Sequence, residues 1–364
     1  MTAVMLDRPT TTTSTSPWFS NVGPNWFAAA MGTGIVANAA ASLPFQVPGL
    51  LVVAKGIWLL DVVILATLLT ATSLHWARNP VVARGHLEHP VMANFYGAPA
   101  MALMTVGAGA LLLGKDLIGV PAALALAAVL WLAGTALGLF TAVVVPYKAI
   151  TKHRMKPDAA FGGWLMPVVP PMVSAATGPL FLPHLPAGQW RLSLLVCCYA
   201  MFGLTLLASL LVIAMIWTKL ILHGVGAAAA VPALFIVLGP IGQSITAAHN
   251  LGQAAPAIVG ESDGQILRVS GLLYGLPMWG FAVLWLALAS ALTLRVARTE
   301  GLPFTLTWWS FTFPVGTVVT GTSGLAVATG STLLGAAAGL LYVGLAAAWL
   351  TVGARTLGLL RARV

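Results

Sequence analysis

Polar residues interrupt this chain every twenty to thirty positions, and between the interruptions it is almost continuously apolar. Stretches of that length and so poor in charge predict membrane-spanning helices, which need about 20 apolar residues each. Ten stand between the breaks, near 24–42, 50–74, 92–114, 119–146, 162–183, 190–217, 226–250, 267–294, 303–327 and 331–353. The connections are short, the longest being 75–91 and 147–161, and none is long enough for a separate soluble domain. The Thr/Ser-rich start lacks the apolar core of a signal peptide. The expected division is a disordered tail over 1–20, a ten-helix membrane domain over 21–355 and a short tail over 356–364.

The ten stretches are of two kinds. The odd ones carry helix breakers: Gly32 and Gly34, then Gly97 and Pro99, then Pro167, Pro170, Pro171, Gly178 and Pro179, then Pro232, Gly239, Pro240 and Gly242, and last Pro314 and Gly316. The even ones are smoother, with only Pro277 interrupting. Proline in a helix removes a hydrogen bond and kinks the axis. Within a bilayer the freed backbone groups are tolerated only against protein or a wet cavity. The pattern predicts an all-α membrane protein of five helical hairpins, with five kinked helices inside and five smooth ones outside. Against that, Gly and Pro are frequent in membrane helices generally.

Composition narrows the class. Of 364 residues, 59% are hydrophobic and 7% charged, against roughly 25% charged in soluble domains. A soluble enzyme, a secreted module and a disordered chain are excluded. The excess of 17 Lys+Arg over 8 Asp+Glu is no sign of nucleic-acid binding, because it gathers in loops. With ten spans, 13 of the 17 basic residues fall on one side: Arg8, Arg78, Arg84, Lys148, Lys152, Arg154, Lys156, Lys219, Arg295, Arg298, Arg355, Arg361 and Arg363. Lys55, Lys115, Arg191 and Arg268 fall on the other. The positive-inside rule then puts both termini in the cytoplasm and the chain in the plasma (inner) membrane. Trp18, Trp26, Trp76, Trp164, Trp190, Trp217, Trp308 and Trp349 sit near span ends, as interfacial anchors do.

Candidate chemistry lies in the odd spans. Between their ends they hold no Asp, Glu, Lys or Arg, but many hydroxyls, among them Thr33, Thr105, Ser174, Thr177, Ser244, Thr246, Ser310, Thr312, Thr317 and Thr320. With Gly32, Gly34, Pro99, Pro171, Pro240 and Pro314, these are the candidate lining and kink positions. A polar, uncharged lumen lacks the buried charges of ion-coupled carriers and the acidic ring of cation channels, and basic mouths steer anions. Asp61 is the one acidic residue well within a span, and a buried carboxylate suggests proton coupling. The plainer reading starts that helix near Gly56, leaving Asp61 about one turn deep and satisfied by a hydroxyl or water. His249 is either a titrating group or a hydrogen-bonded wall residue. His86 and His89 are too few for a metal site, and the adjacent Cys197 and Cys198 read as small buried thiols. No metal or cofactor is expected, and no paired carboxylates or Ser/His pair favour an enzyme. Gly271 with Gly275, and Gly335 with Gly339, are small-xxx-small pairs suited to subunit contact or to packing within one subunit.

Asn25-Trp26-Phe27 and Met31-Gly32-Thr33-Gly34-Ile35 in the first span resemble the opening signature of the tellurite-resistance/dicarboxylate transporter family. That family is similar to the plant guard-cell slow anion channels and includes fungal malate and sulfite transporters. Trp308-Trp309-Ser310-Phe311-Thr312-Phe313-Pro314 resembles its ninth-helix motif. His89-Pro90-Val91 and Gly239-Pro240-Ile241-Gly242-Gln243 fit as well, the latter closer to the sulfite-pump and bacterial branches. The resemblance implies ten helices around a central pore, a homotrimer with one pore per subunit, and a Phe of the ninth helix plugging the pore. Phe313 matches best and Phe311 competes with it. Two residues apart on a helix differ by about 200°, so the two do not block one lumen together. The implied substrates are small anions: C4 dicarboxylates such as malate, sulfite, chloride or nitrate. A proton-coupled carrier or sulfite efflux pump using Asp61 or His249 is the alternative.

Overall fold

The computed structural model describes residues 22–153 and 155–361. The expected tail over 1–20, which holds Arg8 and Trp18, lies outside the described residues, as do Arg154 and Arg363. Every regular element among those described is helical. In chain order they are α1 (Phe27–Ser42), α2 (Leu50–Arg78), α3 (Pro80–Glu88), α4 (Gly97–Gly109), α5 (Lys115–Ile118), α6 (Val120–Thr151), α7 (Pro170–Thr177), α8 (Gln189–His223), α9 (Leu238–Ala254), α10 (Pro256–Val259), α11 (Glu261–Thr299), α12 (Phe313–Thr329) and α13 (Thr332–Arg361). Eight helical stretches are long and apolar enough to cross a membrane. The segments 24–42 and 162–184 are shorter or broken.

The even spans became the five long helices α2, α6, α8, α11 and α13. They run past the predicted apolar stretches because a helix does not stop where its side chains become charged. The last continues to Arg361, so the helix runs into the expected tail over 356–364. Each buries only a narrow stripe. On α2 this is Ala54, Trp58, Asp61, Leu65, Ala71 and His75, at spacings that return to one helical face. The remaining surface is Leu, Val, Ile and Phe exposed outward, as a lipid-facing surface would be.

The odd segments are built differently. All five open with a 3-10 stretch, Pro24–Trp26, Met92–Tyr96, Gly162–Leu165, Ala228–Val237 and Leu306–Phe311. Four of the kink prolines do not sit in helix interiors. Pro99, Pro171, Pro240 and Pro314 occupy the first turn of α4, α7, α9 and α12. There the backbone N–H has no helical partner anyway, so proline costs no bond. The expected kinks are therefore changes of helix type, from 3-10 to α. These segments are buried along most of their length.

They close into a ring in sequence order. Asn38 on α1 donates its amide N–H to the Thr105 carbonyl on α4 at 2.9 Å. A side chain at Gly97 would overlap the Met166 carbonyl of the fifth segment, and one at Gly162 the Ala233 carbonyl of the seventh. Gly242 on α9 lies against Thr317 and Val318 on α12, and Gly316 on α12 lies against Ile35 on α1. Backbones approach this closely only where a side chain is missing. The other glycine pairs are spent inside the subunit. Gly271 and Gly275 pack on Ala248 and on Leu325 with Ile245, while Gly339 packs on the Phe45 ring.

Candidate functional site: a cavity in the inner ring

A cavity of about 210 Å³ lies within the ring. It is lined by residues of all five inner segments and of none of the five long outer helices. Each segment contributes from its later half: Ile35, Asn38 and Ser42; Thr105, Ala108 and Leu112; Val173, Ala176, Thr177 and Leu180; Gln243, Thr246, His249 and Asn250; Thr320, Ser323, Gly324 and Val327. The cavity therefore opens toward the end of the bundle opposite the basic one.

Its polar groups are neutral donors and acceptors with one titratable side chain, His249, whose ring packs on the Cα of Gly324. Asn250 donates to the Ala176 carbonyl at 2.8 Å, and Thr246 and Thr320 share a hydrogen bond of 2.8 Å. Each amide keeps a second N–H. The Ser323 hydroxyl and the Asn38 carbonyl oxygen have no hydrogen-bond partner among the described residues. Such a lining can solvate a small anion with dipoles and has no fixed counter-charge to trap it.

Toward the basic end the ring closes. Within an α-helix a step of seven residues returns to the same face, about 20° off and about 10.5 Å along. Stepping back from Asn38, Ala108 and Thr320 reaches Met31, Met101 and Phe313. All three are buried and belong to one contiguous apolar cluster. From Thr246 the step reaches Gly239, where an added Cβ would meet nothing within 4 Å. A small open space beside Gly239 thus adjoins a floor of two methionines and a phenylalanine.

Phe311 has a different environment. It closes an aromatic row at the basic end, edge-on to Phe235 at 4.9 Å and to Trp308 at 5.7 Å. Arg355 caps that row over the Trp308 ring at 5.4 Å.

Several candidate lining positions face away from the cavity. The Thr33 hydroxyl accepts from the Trp349 indole on α13. The Ser174 hydroxyl shares a bond with Thr135 on α6, and the Ser244 hydroxyl accepts from Tyr274 on α11. Ser310 lies in the last turn of the 3-10 stretch before α12 and does not line the cavity. Gly32 abuts Thr312 and Trp309, and Gly34 abuts Asp61. These hydroxyls join inner to outer helices, because in lipid a hydroxyl must find its partner within the protein. The hydroxyl count missed Asn38, Gln243 and Asn250. Their signal was three amides in otherwise apolar spans.

Asp61 also departs from expectation. α2 starts at Leu50, not near Gly56, so Asp61 lies about 16 Å along the helix. It is fully buried, and neither carboxyl oxygen has a hydrogen-bond partner among the described residues. At the basic end, by contrast, carboxyl chemistry is ordinary. Lys148 and Lys152 hold Glu88, and the hydrogen bond from Lys148 keeps this exposed carboxyl below its usual range. Burial, with His75 and His89 nearby, holds His86 below the usual imidazole range. Among the described residues no cluster of His, Cys, Asp or Glu is placed to hold a metal.

Comparison with known proteins decides the family. The profile of the SLAC1 family, described as voltage-dependent anion channel, matches residues 21–357. The chain belongs to the voltage-dependent anion channel family. Proteins similar to it include the sulfite efflux pump of Arthroderma otae, 30% identical over 84% of this chain and 81% of that protein. An uncharacterized transporter of Methanocaldococcus jannaschii is 30% identical over 83% of both chains. The malic acid transport protein of Schizosaccharomyces pombe is 22% identical over 80% of this chain and 67% of that protein. Family membership makes this chain a multi-pass membrane protein of anion transport, not a membrane enzyme.

Proposed function

We propose that residues 21–355 form a ten-span domain whose inner ring is the path for a small anion, shut in the present state by Phe313. The observation that carries this reading is the cavity lined by all five inner segments and by neutral hydrogen-bonding groups, directly above an apolar floor. An apolar constriction in a narrow polar path excludes water and hence ions. The segments 24–42 and 162–184 are the two spans too short or broken to stand as long single helices. The charge asymmetry supports both termini in the cytoplasm of a plasma-membrane protein. The cavity then faces outward and the Phe313 floor lies toward the cytoplasm. Homotrimeric assembly, with one path per subunit, follows the family resemblance, and the exposed apolar faces of the outer helices are suited to such contacts.

The similarity to a sulfite efflux pump supports sulfite as the first substrate to try, with malate second. A cavity of this size and of uncharged donors suits a compact oxyanion better than an extended dianion. The test is flux into proteoliposomes of chloride, nitrate, sulfite and malate, for wild type beside Phe313→Ala. A large rise in the Ala variant for several anions supports the gate. Unchanged flux in a folded variant removes Phe313 from that role.

A further inference from the structure

Asp61 belongs to an outer helix, yet its carboxyl is wedged into the inner ring. It presses against Gly34 on α1, where any Cβ would collide with it. The Thr105 methyl of α4 lies within 2.7 Å of that same Cβ position. Asp61 thus stands just behind the cavity wall, where Thr105 and Asn38 face the cavity. Among the described residues no donor reaches either oxygen.

The surroundings also lack charge. α2 packs against α1, α4, the π-helical stretch Ala110–Gly114 and α3. The first three contain no Asp, Glu, Lys, Arg or His. α3 carries Arg84, His86 and Glu88 but follows the far end of α2. On α2 itself, Lys55 is committed to Asp116 at 2.8 Å, and His75 lies four turns away at the basic end. Tyr342 of α13 packs on the apolar cluster around Trp58. An ionised carboxylate in such a place lacks both counter-charge and hydrogen bonds, the costliest state for this group.

α1 is a thin partition between Asp61 and the floor. Gly34 faces the carboxyl, and its neighbour Ile35 packs on Gly316, one turn beyond Phe313 on α12. α1 is therefore packed both against Asp61 and against the helix that carries Phe313.

We propose that Asp61 is a proton-binding site that ties the gate to pH. Its carboxyl keeps its proton in the closed state, and the O–H bond breaks to give the proton to water when α1 shifts and the cavity water reaches it. The closed state then binds one more proton than the open state, so rising pH favours opening. A single such proton changes the open-to-closed ratio by at most about tenfold per pH unit. The effect on flux rests on the gated-path reading above; the protonation itself does not.

Two measurements test this. The first is infrared difference spectroscopy of lipid-reconstituted full-length protein at pH 7, wild type minus Asp61→Asn. A carbonyl-stretch band of a protonated carboxylic acid is expected, since every other described acidic residue is exposed. Its absence overturns the proposal. Should Asp61→Asn fail to fold, aspartate-labelled wild type titrated with alkali gives the same reading.

The second is nitrate flux, an anion whose charge is constant across the range, at stepped pH and fixed potential. Wild-type flux should climb with pH by up to about tenfold per unit, and Asp61→Asn should be flat. A flat wild type, or a variant that keeps the wild-type slope, overturns the coupling. If nitrate does not pass even through Phe313→Ala, the pore reading fails while the infrared result still decides Asp61.

Discussion

The two halves of the inner ring are made from the same five segments and do opposite things. The half toward the basic end is 3-10 helix and first-turn proline, with bare backbones touching at Gly97 and Gly162. The other half is mostly α-helix, and it leaves a cavity edged by amides and hydroxyls. Between them lies the Met31, Met101 and Phe313 floor. The cavity thus ends where backbones come near one another and one layer of apolar side chains fills the ring.

The largest test of this contrast is the floor. Removing the ring in Phe313→Ala should raise anion flux by at least about tenfold, a barrier change of about 1.4 kcal/mol. Phe311→Ala, which cuts the aromatic row, should change flux far less. Stopped-flow flux in proteoliposomes separates the two, and equal effects would erase the distinction between floor and row.

The tight half comes next. Gly97→Ala places a methyl on the Met166 carbonyl, and backbone cannot give way cheaply. A loss of about 1–3 kcal/mol is expected, read as a lowered unfolding temperature in lipid. Gly344→Ala, on an outer face with nothing within 4 Å, should be neutral and serves as the control.

The cavity half should respond in selectivity rather than stability. Gln243→Ala removes a donor from a wall with no charge to compensate. Its expected signature is a shift of a few-fold in the nitrate-to-chloride flux ratio with little change in unfolding temperature, consistent with about 0.5–1.5 kcal/mol for one hydrogen bond. A uniform loss for all anions would mean that Gln243 supports the ring and does not read the ion.

The smallest effect lies outside the ring. Glu88 is held by Lys148 and Lys152 on the exposed basic end. Because Lys148 lowers its proton affinity in the folded state, its contribution is present above the usual carboxylate range and is lost as pH falls through the lowered value. Screening makes it slight. Glu88→Gln should leave unfolding temperature and flux unchanged at neutral pH, with any difference vanishing in acid.

The division into smooth outer and broken inner segments was legible because lipid-facing helices need only a stripe of contact, and their Leu/Val/Ala runs say so. Phe313 was singled out by its motif, and the structure buries it in the apolar cluster at the floor of the cavity. Which hydroxyls face the cavity was not. Ser174 and Thr105 look alike in sequence, and only the neighbour at hand, Thr135 for Ser174, decides which way each points. The prolines were read as interior kinks because sequence does not mark where a 3-10 stretch hands over to α-helix. The plainer reading placed Asp61 too shallow by starting the helix near Gly56, whereas Lys55 already lies within the helix and pairs with Asp116.

The first-turn prolines also bear on how the chain enters a membrane during synthesis. An inner segment opens with 3-10 turns whose backbone bonds are poor, and two of the five do not form one long apolar helix at all. Such a segment is a weak passenger for the insertion machinery on its own. Each is followed within a few residues by a long, strongly apolar outer helix. The hairpin, rather than the single helix, is then the natural unit to pass from the insertion machinery into the lipid.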